Sequence, residues 1–430
     1  MSDEPATVYD AIVVGGGPAG ASTAGLLAQE GRSVLVLERE KFPRYHIGES
    51  LIPGVWPTLD RLGLREKLDA MGFTKKYGGS LVWGKGRPSW NFSFEDGGPY
   101  PYAYQVRRAD FDALLLSHAR TLGADVVEEA VVKEPLFTGE RLDGVRYQLR
   151  GADRTLEARA RIVVDASGQH RWLGRHFDLV EWHEDLRNIA VWAYYQGCGT
   201  LPGREAGNIL IEHVPGGWLW FIPLSDGTTS IGHVTQTALL AASGESPERL
   251  FTDRVEGSRG VADLMKSATR VSGHRTTKDW SYHLRRFHGP GWIATGDAAA
   301  FVDPLLSTGV TLALRGGSTA ATTVAALLDD PASADAVLKQ YEQGYRRFLG
   351  GILDFVRAFY DQSKHREDYY DEAQQIFDPT AEMPAHTDFV TLVSGLIAGE
   401  FTDDMSAVTD HLAKLRERGA TPPPFPGVPR

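Results

Sequence analysis

Apolar positions along the chain fall into three textures. Residues 10–14, Asp-Ala-Ile-Val-Val, form a short apolar run, followed by glycines and a small-residue stretch from Ala19 to Glu30. Gly31 closes that stretch, and residues 33–37, Ser-Val-Leu-Val-Leu, form a second run with no polar alternation. The pattern predicts two buried parallel strands joined by a helix. Residues 161–168, Arg-Ile-Val-Val-Asp-Ala-Ser-Gly, and 291–297, Gly-Trp-Ile-Ala-Thr-Gly-Asp, have the same form and predict further strands of that sheet. From 185 to 285 the texture changes. Ile-Ala-Val-Trp-Ala-Tyr-Tyr at 189–195 and Gly-Asn-Ile-Leu-Ile-Glu-His at 207–213 favour antiparallel strands with one buried face. Beyond residue 310 the signal is helical. Leu338, Tyr341, Tyr345, Phe348, Leu349, Ile352 and Phe355 recur at three- and four-residue spacing, an apolar stripe best read as core packing.

The expected organisation is a discontinuous nucleotide-binding domain (1–75, 104–180 and 286–325) interrupted by a β-rich domain (76–103 and 181–285). A helical C-terminal region (326–418) and a flexible, proline-rich tail (419–430) complete it.

The glycines between the first two strands carry chemistry. Gly15, Gly17 and Gly20 form G-x-G-x-x-G, with Ala19 inside the turn. The first glycine permits a tight turn, the second lets backbone approach a pyrophosphate, and the third lets helix and strand pack closely. The helix start then offers free amides and a positive dipole end to phosphates. Glu38 ends the second strand, where a carboxylate can accept from an adenosine ribose, and Arg39 follows it. A solvated strand end is the plainer reading of Glu38. With both strands in place, the set points to a dinucleotide.

Composition narrows the field. The chain has 430 residues, 42% hydrophobic and 23% charged, as in a globular protein of two or three units. A formal charge of −11 argues against a nucleic-acid partner and against a generally basic face for an acidic carrier protein. Cys198 is the one cysteine, so no disulfide or thiolate metal site forms within the chain, and it is read as a packed residue. The first residues lack the basic and apolar regions of a signal peptide. No apolar run approaches the roughly 18 residues of a membrane span, so a cytoplasmic protein with no membrane partner and no metal is expected.

Further motifs resemble those of flavoproteins. Gly296-Asp297 resembles the Gly-Asp of aromatic-hydroxylase-like enzymes, where the aspartate contacts the ribityl chain, and Asp-Ala-Ser-Gly at 165–168 matches their middle motif. Arg108 resembles the arginine such enzymes place beside the flavin. Trp218-Leu-Trp220-Phe-Ile-Pro is W-x-W-x-I-P, which resembles the signature of flavin-dependent halogenases. Phe73-Thr-Lys-Lys76-Tyr-Gly78, with a following Trp-Gly, resembles the F-x-x-K-x-G of the phenol and pyrrole branch. Pro304-Leu-Leu-Ser307-Thr308-Gly309 resembles the family's P-x-x-S-x-G segment, and residues 42–50, ending at Ser50, resemble the loop after the second strand in these halogenases.

The resemblance implies an α/β fold: a Rossmann-like, aromatic-hydroxylase-like FAD-binding domain interrupted by a β-rich substrate domain, with a helical C-terminal region. It implies reduced FAD, oxygen and chloride or bromide as reactants. Gly15, Gly17, Ala19, Gly20, Glu38, Arg39, Ser50, Arg108, Gly296, Asp297 and Gly309 are then expected to bind the cofactor, and Thr308 with Gly309 the halide. Trp218 and Trp220 would wall the flavin from the substrate, and Lys76 would deliver the halogen. In an extended segment Lys75 and Lys76 face opposite sides, so only one can enter a buried pocket. No second G-x-G-x-x-G is present, so reduced flavin is expected from a separate flavin reductase. Leu306 stands where tryptophan halogenases carry a glutamate that assists ring deprotonation, which points away from tryptophan. The expected substrate is an electron-rich aromatic, free or borne by an acyl or peptidyl carrier protein. An FAD-dependent aromatic monooxygenase and a non-catalytic flavin-binding redox protein are the alternatives. His46 is read as a loop histidine near the flavin rather than an acid–base group.

Overall fold

A computed structural model describes residues 8–377, 380 and 383–396. The proline-rich tail and residues 397–418 lie outside the described residues. Three parallel strands, Val8–Val14, Val34–Leu37 and Thr155–Asp165, form the centre of one sheet, with Asp125–Val127 and Trp292–Ala294 parallel at its flanks. Residues 11–14, 34–37 and 162–165 are buried on both faces, as the unbroken apolar runs require. The helix Pro18–Gln29 crosses between the first two strands. It packs tightly on the helix Gly309–Asp329, where a Cβ at Gly317 would lie 2.5 Å from the Ala19 carbonyl oxygen. Thr23 Oγ1 donates to the Gly317 carbonyl across this contact at 3.1 Å.

The second sheet runs Ala300–Phe301, Arg275–Leu284, Val180–Gln196, Thr229–Gln236, Gly217–Pro223, Ile209–Val214, Gly78–Val82 and Ser89–Ser93. All neighbours pair antiparallel except Ile209–Val214 with Gly78–Val82. The edge strand Ala300–Phe301 of this sheet follows directly on the Gly296–Ala298 turn.

The helices Ala334–Tyr360, Arg366–Phe377 and Ala385–Val393 follow. Tyr341, Tyr345, Phe348, Leu349, Ile352 and Phe355 are buried along the first of them, so the apolar stripe is core. The last helix closes over the segment between the sheets. Thr391 Oγ1 donates to the Gly97 carbonyl at 2.8 Å, and the Gly54 amide donates to the Ser394 carbonyl at 2.7 Å. A chain of ring contacts runs from Phe94 through Phe92 to Phe389 beneath it. Among the described residues, no helix is long and apolar enough to cross a membrane.

Candidate active site

Where the two sheets meet lies a cavity of about 840 Å³. The glycine turn forms one end. Gly15 sits at φ +107°, and a Cβ there would lie 2.4 Å from the Ala166 carbonyl oxygen. A Cβ at Gly20 would lie 1.9 Å from the Gly15 carbonyl oxygen, so the helix can approach the strand only as glycine. Gly17, by contrast, faces open space, with the Arg44 guanidinium nearest at 3.6 Å. The helix Pro18–Gln29 starts there and aims its unpaired amides at the same gap. Gly20 and Gly296 lie beneath the lining, whereas Gly15, Gly17, Ala19, Glu38 and Arg39 belong to it.

Glu38 is buried, and its carboxylate accepts from the Gly16 amide at 2.6 Å and the Glu40 amide at 2.8 Å. It therefore fixes the glycine turn as well as facing the cavity. Arg108 is also buried. Its guanidinium grips Asp112 at 2.8 and 2.9 Å and donates to the Ile47 and Gly48 carbonyls, anchoring the loop 42–50. Asp297 lines the cavity with its carboxyl pushed up to about 6 by burial, partly offset by the Arg108 charge. The buried Asp165 carboxylate is spent on the Ser167 and Leu173 amides, so its motif shapes the turn.

The opposite wall is tryptophan. Trp218 and Trp220 lie two apart on the strand Gly217–Pro223, share one face, and line the cavity with ring centroids 6.0 Å apart. Gly232, across from Trp220 on the next strand, has no room for a Cβ, which would sit 2.2 Å from the indole. Trp220 Nε1 donates to Ser230 at 3.1 Å. Trp218 Nε1 donates to the Tyr360 hydroxyl at 2.8 Å, and Tyr360 donates to Asp303 at 2.9 Å. Asp303 also accepts from Asn188 at 2.7 Å and caps the turn Pro304–Leu306.

That turn leads into Ser307, at φ +58°, and then Thr308, which heads the helix Gly309–Asp329. Ser307 and Gly309 line the cavity. The Thr308 hydroxyl is buried and has no hydrogen-bond partner among the described residues. An unpartnered hydroxyl at a helix start is chemistry suited to a small anion.

Lys76 lies deeper. It ends the strand Thr74–Lys76, and burial alternates along it: Lys75 is exposed, its ammonium 4.3 Å from the Tyr102 ring centroid, while Lys76 is 2% exposed. The Lys76 amine donates to Ser50 Oγ at 2.8 Å and lies 5.6 Å from the Phe94 ring centroid. Burial alone pulls its pKa from 10.5 to about 7, because removing the ammonium from water has no compensating charge.

Comparison with known proteins fits this geometry. A family model described as "Tryptophan halogenase" matches residues 10–101 and 96–396. The chain belongs to the flavin-dependent halogenases. It is 35% identical over 400 residues to a "Tryptophan 2-halogenase" of Chondromyces crocatus, covering 90% of this chain and 75% of that one. It is 29% identical to the 1H-pyrrole-2-carbonyl-[peptidyl-carrier protein] chlorinase of Pseudomonas fluorescens, covering 84% of each. The solved myxobacterial chondrochloren halogenase CndH superposes with a TM-score of 0.78 at 34% identity, covering 92% of this chain and 98% of that one.

This halogenase therefore uses FAD and halide, and the open gap at Gly17, the helix start and the cavity between the sheets fit the cofactor. Several of its site residues were not singled out from the sequence. Arg44, in the loop 42–50, lines the cavity beside Gly17 and bonds Asp112 at 2.7 Å. Glu49 is buried in the lining, and its carboxylate accepts from Tyr194 at 2.7 Å. Burial raises its carboxyl to about 7, with the Tyr194 bond opposing. Trp192 adds a third indole to the wall, donating to Tyr45 at 2.7 Å. Arg44 and Glu49 were visible only as members of a family-like loop, and Trp192 only as a strand residue.

Proposed function

We propose that this halogenase places chlorine or bromine on an uncharged, electron-rich ring of the phenol or pyrrole type, with Lys76 delivering the halogen. The observation that carries the reading is an enclosed lysine with no charged partner, bonded to a serine of the cavity wall. Bound FAD, once reduced and met by oxygen, supplies the oxidant that converts halide to hypohalous acid. Thr308 and Gly309 hold the halide at the head of the helix. Gly15, Gly17, Glu38, Arg39 and Arg108 hold or shape the cofactor site, with Asp297 beside it.

Trp218 and Trp220 keep the ring away from the cofactor, so the reaction is directed to the lysine. Near neutral pH, Lys76 has both protonation states within reach. Protonated, it donates a hydrogen bond to hypohalous acid; neutral, its lone pair accepts the halogen. The Phe94 ring beside the lysine continues through Phe92 to Phe389, which makes the surroundings apolar.

No charged group perturbs Lys76, and buried Leu306 stands near the halide turn where a carboxylate would assist an indole. The ammonium of a free amino acid would find no carboxylate acting at this lysine among the described residues. A carrier-protein thioester removes the substrate's carboxylate and suits the site best. A separate flavin reductase supplies the reduced cofactor. The test compares kcat/KM for a free phenol, carrier-loaded phenolic and pyrrolyl thioesters, and tryptophan. At least about tenfold preference for a carrier-loaded ring supports the reading. A preference for free tryptophan overturns it.

A further inference from the structure

Ser50 links the cofactor cavity to the lysine. Its position is set by backbone pairing on both sides of the strand Ala103–Gln105. On one side Lys76 pairs with Ala103 and Thr74 with Gln105. On the other, Ser50 pairs with Gln105, the Leu51 amide donates to Tyr104 at 2.9 Å, and the Val106 amide donates to Glu49 at 2.7 Å. Paired residues share a face, so Lys76, Ala103, Gln105 and Ser50 project to the same side. The small Ala103 leaves the lysine's path to Ser50 clear.

Among the described residues, Ser50 is the one side chain that lines the cavity and also hydrogen-bonds Lys76. Its oxygen accepts from the lysine, and its own hydroxyl proton has no acceptor among the described residues. That proton is free to point into the cavity.

We propose that Ser50 hands hypohalous acid from the cavity to Lys76, its hydroxyl holding the acid's oxygen beside the amine. The inference rests on the reading of Lys76 above. Where the lysine is neutral, Nζ bonds to the halogen as the oxygen–halogen bond breaks. The electron pair stays on oxygen as hydroxide, which takes the proton released by nitrogen and leaves as water. A hydrogen bond from Ser50 stabilises that oxygen as its negative charge grows. Where the lysine is protonated no bond breaks, and the same contact orients the acid. Glu49, next along the chain, turns its carboxyl to Tyr194, and no charged group acts on Lys76. Ser50 therefore governs the amine's local polarity.

The test uses FAD-loaded wild type, Ser50→Ala, Ser50→Thr and Lys76→Ala with a flavin reductase, NADH, bromide and a phenol or its carrier thioester. Brominated product is read by mass spectrometry, escaped hypobromous acid by taurine trapping, and bound FAD by absorbance. Ser50→Ala is expected to give about tenfold less product per NADH consumed, with a matching rise in trapped oxidant. Its pH midpoint should move down, because the ammonium loses its acceptor, and Ser50→Thr should restore yield and midpoint. Unchanged yield in Ser50→Ala, or a loss matching the loss of bound FAD, overturns the proposal. Full product from Lys76→Ala overturns the lysine reading itself, whereas a dead Lys76→Ala beside a normal Ser50→Ala overturns only the serine's part.

Discussion

Replacing the buried lysine with an apolar residue of similar length should stabilise the protein while removing its chemistry. Burial holds the Lys76 ammonium down from 10.5 to about 7. At about 1.4 kcal/mol per pH unit this corresponds to about 5 kcal/mol against the charged form. Lys76→Met keeps the stem's volume, removes that cost, and gives up one hydrogen bond to Ser50 worth about 1 kcal/mol. A net gain of about 4 kcal/mol is expected at pH 6.5. The sign follows from proton counting. Below pH 7 the lysine is protonated both folded and unfolded, so the penalty is fully present. Between 7 and 10.5 only the unfolded chain stays protonated, and the penalty shrinks as pH rises. Above 10.5 it is gone. Urea unfolding of both proteins with saturating FAD, at pH 6.5, 8 and 9.5, measures the difference. A variant less stable than wild type at pH 6.5, or an advantage that grows with pH, would refute the reasoning.

Gly15→Ala combines a left-handed backbone with a Cβ 2.4 Å from a carbonyl oxygen, so FAD affinity measured by flavin fluorescence should fall at least about tenfold. Trp218→Phe deletes the bond to Tyr360 and should cost about 1 kcal/mol in thermal unfolding. It should also divert part of the NADH consumed into peroxide or hydroxylated product. Glu212 is buried and accepts from the amides of Arg259, Gly260 and Val261, heading the short helix Gly260–Leu264. Glu212→Ala should destabilise by about 4 kcal/mol while FAD binding by the folded fraction stays intact, since its carboxylate serves backbone far from the glycine turn.

Local signals were the legible part. Unbroken apolar runs and glycines at fixed spacing located the parallel strands and the cofactor turn, because each depends on neighbours within one βαβ unit. Alternation along Gly217–Pro223 put both tryptophans on one face, and alternation at 75 and 76 allowed only one buried lysine, which the register with Phe73 and Gly78 assigned to Lys76. What stayed hidden depends on residues far apart in the chain. Nothing near Trp218 announces Tyr360 and Asp303, or near Glu212 the amides of 259–261. Ser50 read as a cofactor residue, because its bond to Lys76 exists only once the strand Ala103–Gln105 has brought the two together. Arg44 could be told from a surface cation only by the buried Asp112 it shares with Arg108.

The most direct test of the central claim is mass spectrometry of bromide reactions run with FAD, flavin reductase, NADH and an electron-rich phenol or its carrier thioester, comparing wild type with Lys76→Ala. The account predicts brominated product from wild type and none from the variant, while NADH oxidation continues in both. Hydroxylated product that ignores bromide, or bromination that survives loss of the lysine, would contradict it.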